Sequence, residues 1–342
     1  MPAVLRERER GFTEHRKQAP AKREGSLAGA FSLSRRLNTA NQNLFGCCCQ
    51  KFPALCQFFF LIIFATFFAA CSANRSPSQP VRTITDELGR SVAVSIRPQR
   101  IISLAPSVTE ILYALGAADR IAGVTSYCDY PPEARQKPIV GDTLKPSVER
   151  IIALNADLVI ISTASQIESI FQKLVEIGIP VYVSNPRNVA GVIDSINRIG
   201  ELIDARDQAN ELIQQLRTRI ANVQSRVSGL SRPAVFVILG TEPLITVGAG
   251  SFVTDLITRA GGRSISAEDS GDYPQYSIET VVARQPEVIL LQSGEERLTN
   301  RLRQTPAGLS NRVYHVDDDL LLRPGPRIVD GLEQVAAKLH QE

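Results

Sequence analysis

Two acidic residues stand at matching places in a repeated stretch. Glu149 lies in Ser147-Val148-Glu149-Arg150-Ile151-Ile152-Ala153, and Glu279 lies 130 residues later in Ser277-Ile278-Glu279-Thr280-Val281-Val282-Ala283. The match runs on without a gap from Asp157-Leu158-Val159-Ile160-Ile161 to Glu287-Val288-Ile289-Leu290-Leu291. A second echo pairs Glu110-Ile111-Leu112 before Gly116 with Asp255-Leu256-Ile257 before Gly261. Each repeated Glu sits two residues past a Ser placed to cap a helix, where a carboxylate complements the helix dipole by about 0.3–1 kcal/mol.

Catalytic chemistry finds little to work with. There is no G-x-S-x-G, no P-loop and no G-x-G-x-x-G after a strand. Gly248-Ala249-Gly250-Ser251 has the wrong spacing for a nucleophile elbow and reads as the opening of a helix. Only His315 and His340 follow residue 71, which argues against a His-rich zinc or manganese site. His315 reads as a structural residue at a strand end, with haem ligation as its other use. A hydrolase on a two-lobed scaffold is the remaining catalytic alternative, and it lacks an evident nucleophile–base pair. Cys128 reads as a small buried residue. The chain is therefore expected to be no enzyme and to need no cofactor.

What positions the repeated acids is an α/β alternation. Short apolar runs read as parallel strands at Ile101–Leu104, Leu158–Ile161, Val181–Val183, Val235–Leu239, Val288–Leu291 and Val313–Val316. Helical stretches fall between them, and Ser107-Val108-Thr109-Glu110 has the form of a capping box after the first strand. From about Val189 to Val227 an amphipathic stretch without Pro keeps the 3.6-residue spacing, and Ser228-Gly229 stops it. As one helix of roughly 39 residues it would span about 58 Å, enough to bridge two lobes. The expected fold is α/β, two Rossmann-like lobes with parallel sheets joined by one long backbone helix, the cleft lying between lobes. The divisions are a polar extension at 1–50, an export segment at 51–71, a tether and leading segment at 72–98, an N-terminal lobe at 99–188, a linking helix at 189–228 and a C-terminal lobe at 229–342.

The charge is uneven. Ten Lys/Arg and four acids precede residue 71, leaving 28 bases against 31 acids in the rest, and an acidic body argues against nucleic acid as partner. Phe52 to Ala70 carries no charge, Lys51 precedes it, and Phe68-Ala69-Ala70-Cys71 closes it. A basic flank, an apolar run and small residues before a cleavage point make a secretory signal. The Ala-Ala-Cys ending resembles a bacterial lipobox, with Cys71 as the lipidated residue; an uncleaved span of about 20 residues is the alternative. Either way the body is held at a membrane on its outer side.

Several stretches in order resemble the helical-backbone class of solute-binding proteins, which serve ATP-binding-cassette importers for cobalamin, haem and ferric siderophores. They are Arg100 to Pro106 (RIISLAP) with Thr109-Glu110, Ser126 to Pro132 (SYCDYPP), Ala153 to Leu158 (ALNADL), Gly178-Ile179-Pro180-Val181 and Pro326-Arg327-Ile328. The likeness covers about residues 99–340 and is nearest to the cobalamin-binding members. A hinge of one helix suggests small closure, a monomer is expected, and the permease and ATPase are expected to be other chains, since nothing in the sequence is polytopic or nucleotide-binding. The likeness implies that Glu149 and Glu279 dock onto permease arginines, that Tyr127 lines the ligand cleft, and that the loop carrying Asp319 and Arg323 faces that cleft. Thr143 stands where cobalamin binders commonly carry a Trp, Ser162-Thr163 replace another aromatic, and this chain has no Trp. Tyr273 and Tyr276 offer flat surface on the second lobe. The implied ligand is a corrinoid, with haem or a ferric siderophore as the alternative.

Overall fold

Six apolar runs become six strands, five of them buried and the last, Val313–Val316, only partly so, and each half of the chain adds one short edge strand to them. The structure is a computed structural model that describes residues 80–163, 168–292 and 299–341. The extension at 1–50, the apolar segment at 51–71 with Cys71, and the tether up to residue 79 lie outside the described residues. The chain runs β1 (Val81–Thr85), β2 (Ser91–Ser95), β3 (Ile101–Ser103), α1 (Pro106–Ala114), β4 (Ile121–Val124), α2 (Val148–Ala153), β5 (Leu158–Ser162), α3 (Glu168–Glu176) and β6 (Val181–Ser184). Two helices follow, α4 (Val189–Leu202) and α5 (Arg206–Val227). Then come β7 (Ala234–Ile238), β8 (Gly240–Thr241), β9 (Leu244–Ile245), α6 (Phe252–Arg259), β10 (Arg263–Ser264), α7 (Ile278–Ala283), β11 (Val288–Gln292), α8 (Pro306–Leu309), β12 (Val313–Val316), α9 (Asp318–Leu322) and α10 (Ile328–Leu339).

Each lobe holds a parallel four-stranded sheet, in the order β4-β3-β5-β6 and β10-β7-β11-β12. The repeat survives in backbone detail. Ser147 and Ser277 accept the N–H of Arg150 and Thr280 at 3.2 and 3.1 Å, capping α2 and α7. Asn155 and Gln285, again equivalent, both take a left-handed conformation, φ 48° and 47°. The next acid in each repeat fastens its lobe's first strand. Asp157 accepts the N–H groups of Gln99 and Arg100 at 2.7 and 2.9 Å, and Glu287 accepts that of Ala234 at 2.6 Å.

Before the first sheet, β1 and β2 form an antiparallel hairpin. Its turn is held by buried Asp86, which accepts the N–H of Leu88 and Arg90 and pairs with the Arg90 guanidinium at 2.8 Å. Strand alternation carries one face of each sheet into a core of that lobe alone, and the other face into a core common to both. Ile102, Val159 and Val181 belong to the first kind in the N-terminal lobe, and Phe236, Ile289 and Leu291 in the C-terminal lobe. Ile101, Leu158, Val235 and Val288 belong to the common core, together with Ile213, Leu216, Ile220 and Val223 of α5.

The linking stretch departs from the single helix expected at 189–228. It breaks at Ile203–Ala205, where Asp204 takes φ 57°, and α4 packs back along α5. A continued helix would need an apolar residue at 206 or 207 after buried Ile203, and those positions are Arg206 and Asp207. Arg120 locks the break by donating to the Ile203 carbonyl at 2.6 Å. Gly200 lets the two helices approach, since a Cβ there would meet the Ala209 Cβ at 2.4 Å. The backbone element is thus α5, of 22 residues and about 33 Å. Gly200→Ala should lower unfolding free energy by about 1–3 kcal/mol through overpacking, measured by urea denaturation. An unchanged midpoint would mean that the two helices do not press together here.

Candidate functional site

The lobes meet through segments at the carboxyl ends of their strands, where open α/β sheets place their ligands. One edge of the junction is an ionic cluster. Arg327 Nη2 and Nε donate to Glu110 Oε1 and Oε2 at 2.6 and 3.0 Å, a two-pronged pair from the C-terminal to the N-terminal lobe. Arg323 Nη1 reaches Asp129 Oδ1 at 2.7 Å and Glu110 Oε1 at 3.6 Å, and its Nη2 reaches Asp319 Oδ1 at 2.7 Å. The Tyr130 ring lies 3.9 Å from the Arg327 guanidinium, an added cation–π contact. Gly325 abuts α1: a Cβ there would meet the Ser107 carbonyl oxygen at 3.3 Å. At the opposite edge Arg187 pairs with Asp272 at 3.2 Å, more exposed and so worth less.

Burial raises the Glu110 pKa, against the opposing hydrogen bond and charge of Arg327. Burial likewise raises Asp319, opposed by Arg323. For Asp129 burial pushes upward, but the hydrogen bond and charge of Arg323, with Arg135, outweigh it and its pKa is lowered. The guanidiniums of Arg187, Arg323 and Arg327 each have a carboxylate partner.

Of the candidate residues, Asp319 and Arg323 are brought together in this cluster. Tyr127, half-buried, lies two residues before Asp129 on the segment after β4. Half-buried Thr143 follows Asp142, whose carboxylate accepts the N–H groups of Leu144 and Lys145 at 2.7 and 2.6 Å. Tyr273 is exposed, on the loop whose Asp272 pairs with Arg187 across the junction. Tyr276 is engaged within its own lobe: its ring stacks on Phe236 at 5.8 Å, its hydroxyl donates to Asp269, and Arg284 Nη1 donates to that hydroxyl at 2.5 Å. Burial and the Asp269 bond push its pKa up to about 12.

Glu149 and Glu279 are exposed, and Glu149 accepts the Ser147 hydroxyl at 2.8 Å while Glu279 pairs with Arg301. Both pKa values are lowered, first by a backbone N–H at each helix start. Buried Cys128 lies 3.2 Å from the Thr125 hydroxyl, and burial raises its pKa, so it stays a thiol. Among the described residues no cluster of His, Cys, Asp and Glu could hold a metal ion.

Sequence reasoning missed Glu110, Asp129, Tyr130 and Arg327 as one cluster. It read Glu110 as the far end of a capping box beginning at Ser107. Pro106 instead starts α1 with Ala105 at the N-cap and no side-chain cap. Glu110 is then two residues too far along to reach back, and its carboxylate points to the other lobe. The Thr109-Glu110, SYCDYPP and Pro-Arg-Ile stretches were the available signal, since Glu110, Asp129, Tyr130 and Arg327 all lie in them.

The family model described as periplasmic binding protein matches residues 101–320. The chain belongs to the periplasmic binding protein family. A vitamin B12-binding protein of Photorhabdus laumondii is 31% identical over 243 residues, covering 71% of this chain and 88% of that protein. An uncharacterised ABC transporter substrate-binding lipoprotein of Bacillus subtilis is 30% identical over 271 residues, covering 76% of this chain and 86% of that one. Among solved structures, the periplasmic haem-binding protein RhuT from Roseiflexus is similar with a TM-score of 0.64 and 27% identity, covering 71% of this chain and 98% of that chain. The matched region takes in the strands of both lobes and the Asp319 end of the ionic cluster, so the two-lobed plan is the family's own. Within it, Tyr276→Phe should lower unfolding free energy by about 1 kcal/mol, measured by urea denaturation. No loss would show that the Asp269–Arg284 pair does not need the hydroxyl.

Proposed function

We propose that this protein is an exported, lipid-anchored solute-binding protein that captures a corrinoid between its lobes and hands it to the permease of an ATP-driven importer. The observation that carries the ligand choice is the pairing of the junction arginines. Arg187, Arg323 and Arg327 are each matched by a carboxylate, so they offer no surplus positive charge to an anionic ferric siderophore or to haem propionates. A corrin is a broad, mostly apolar plate edged by amides, and it suits aromatic faces and neutral polar groups. Tyr127 on one lobe and exposed Tyr273 on the other are the faces assigned to it, with Thr143, Asp319 and Arg323 as polar neighbours. Tyr276 is assigned a supporting place behind that surface. The similarity to a vitamin B12-binding protein supports the same ligand. Haem remains the second reading because of the similarity to a haem-binding structure and because Tyr127 is an available axial ligand.

Anchoring through Cys71 is assigned from the Ala-Ala-Cys ending of the apolar run, and the Bacillus relative named a lipoprotein supports it. Glu149 and Glu279 are assigned to docking because each is exposed, ionised and equivalent in the repeat.

Titration calorimetry of the purified protein with cyanocobalamin should give a Kd below about 1 μM, or about −8.2 kcal/mol. Tyr127→Ala should weaken it by about 1–3 kcal/mol, the scale of an aromatic anchor. Haem binding, with no heat from any corrinoid, would reject the corrinoid and spare the class. Reversing the charge of Glu149 or Glu279 should impair uptake while leaving affinity within about threefold, roughly 0.65 kcal/mol. Lost affinity with unchanged transport per bound ligand would put those carboxylates in the cleft.

A further inference from the structure

The second echo in the sequence, Glu110-Ile111-Leu112 against Asp255-Leu256-Ile257, has a structural counterpart separate from the docking carboxylates. α1 follows the first strand of the N-terminal sheet, and α6 follows β7 of the C-terminal sheet through the short β8–β9 pair. Each sends its acid beyond its own lobe. Glu110 receives two hydrogen bonds from Arg327, the residue that caps α10 after the last strand of the C-terminal lobe. Asp255 Oδ2 accepts the N–H of Val189 at 2.9 Å, and Val189 begins α4 after the last strand of the N-terminal lobe. Arg259 holds the Asp255 carboxylate in place at 2.7 Å. The two arms therefore run in opposite directions, one from α1 to the helix start that closes the C-terminal lobe, the other from α6 to the start of the linking helices, where the chain leaves the N-terminal lobe.

We propose that Glu110 and Asp255 are positioning residues that together set the angle between the lobes. Neither is assigned a contact with ligand, and the inference holds whatever the cleft binds. The geometry suits the task. The Glu110 side chain is 2% exposed and that of Arg327 is 15% exposed, so the pair is little screened and its forked bonds fix direction as well as distance. One arm alone would leave the lobes free to pivot about it. Two arms between different elements remove that freedom, and the contact of Gly325 with α1 limits closer approach.

Bio-orthogonal spin labels at Ile152 and Leu309, exposed residues of the N- and C-terminal lobes at 48% and 77%, report the inter-lobe distance without using the cysteines. In the otherwise unaltered protein the distance distribution should be narrow. Glu110→Gln and Asp255→Ala, which removes the acceptor of the Val189 N–H, should each widen it, and the double variant should widen it further and shift its mean. Glu110→Asp, which keeps the charge on a shorter arm, should restore the narrow width. A double variant with the parent distribution and only a lowered melting temperature would overturn the proposal, because a merely structural role predicts that outcome. Should Glu110→Gln fail to fold, Asp255→Ala carries the test alone, since that carboxylate is 29% exposed and its loss strands no deeply buried charge. A parent-like distribution in that variant would also overturn it.

Discussion

Two parallel sheets that share no strand must be held together by something other than backbone hydrogen bonds, and here it is one apolar core. The inward faces of β3 and β5, and of β7 and β11, bury against the same pair of linking helices, so Ile101 and Val235 belong to one continuous cluster. Its stabilisation scales with buried apolar area, about 25 cal/mol per Å², and has no preferred direction. Such a core keeps the lobes in contact but leaves their angle to directional groups at the rim. The ionic cluster at Glu110 and Arg327 supplies direction on one side. The bond from Val189 to Asp255 supplies it on the other.

The same division of labour explains the electrostatics of the junction. Charges placed between lobes lose hydration, which the raised pKa of Glu110 records. They are tolerable only when matched, and the cluster matches Arg323 and Arg327 with Glu110, Asp129 and Asp319. A group spent on holding the lobes is not free to attract an anion. The cost of a stiff junction is thus a cleft edge with little net field, which favours a ligand recognised by shape and by aromatic faces over one recognised by charge.

Much of this was legible in the sequence because it is local. Strands such as Leu158–Ser162 and Val288–Gln292 are continuous apolar runs, as strands buried on both faces must be. The repeat reports two lobes because equivalent positions keep equivalent jobs, down to Asp157 and Glu287 fastening the first strands. What was not legible depends on distant partners or on a single backbone conformation. Glu110 and Arg327 are 217 residues apart, so nothing near Glu110 distinguishes a helix cap from an inter-lobe bond. The break at Asp204 interrupts an amphipathic pattern for only one turn, and its signal is the charged pair Arg206-Asp207. Tyr276 looked equivalent to Tyr273 as an aromatic on the same loop, but the position of Phe236 decides which ring is drawn inward. β10 is an edge strand of two polar residues, Arg263 and Ser264, and β4 is an edge strand of four residues with a Gly inside it, too short a run to stand out.

Topology links the outer carboxylates to the cleft. α2 runs into β5 and α7 into β11, and in a layered α/β lobe such helices run antiparallel to the strands they feed. The first turns that carry Glu149 and Glu279 therefore lie toward the carboxyl ends of the strands, the end at which the lobes meet. On the proposed reading, ligand and permease approach the protein from the same end. Any pivot about the common core then changes two distances together, the width of the cleft and the separation of the docking carboxylates. A partner that fixes the second distance biases the first, by as much as its binding energy differs between the two lobe arrangements. Coupling between docking and release needs no further moving part: a rigid lobe on each side and a junction whose angle is held by a few bonds are sufficient.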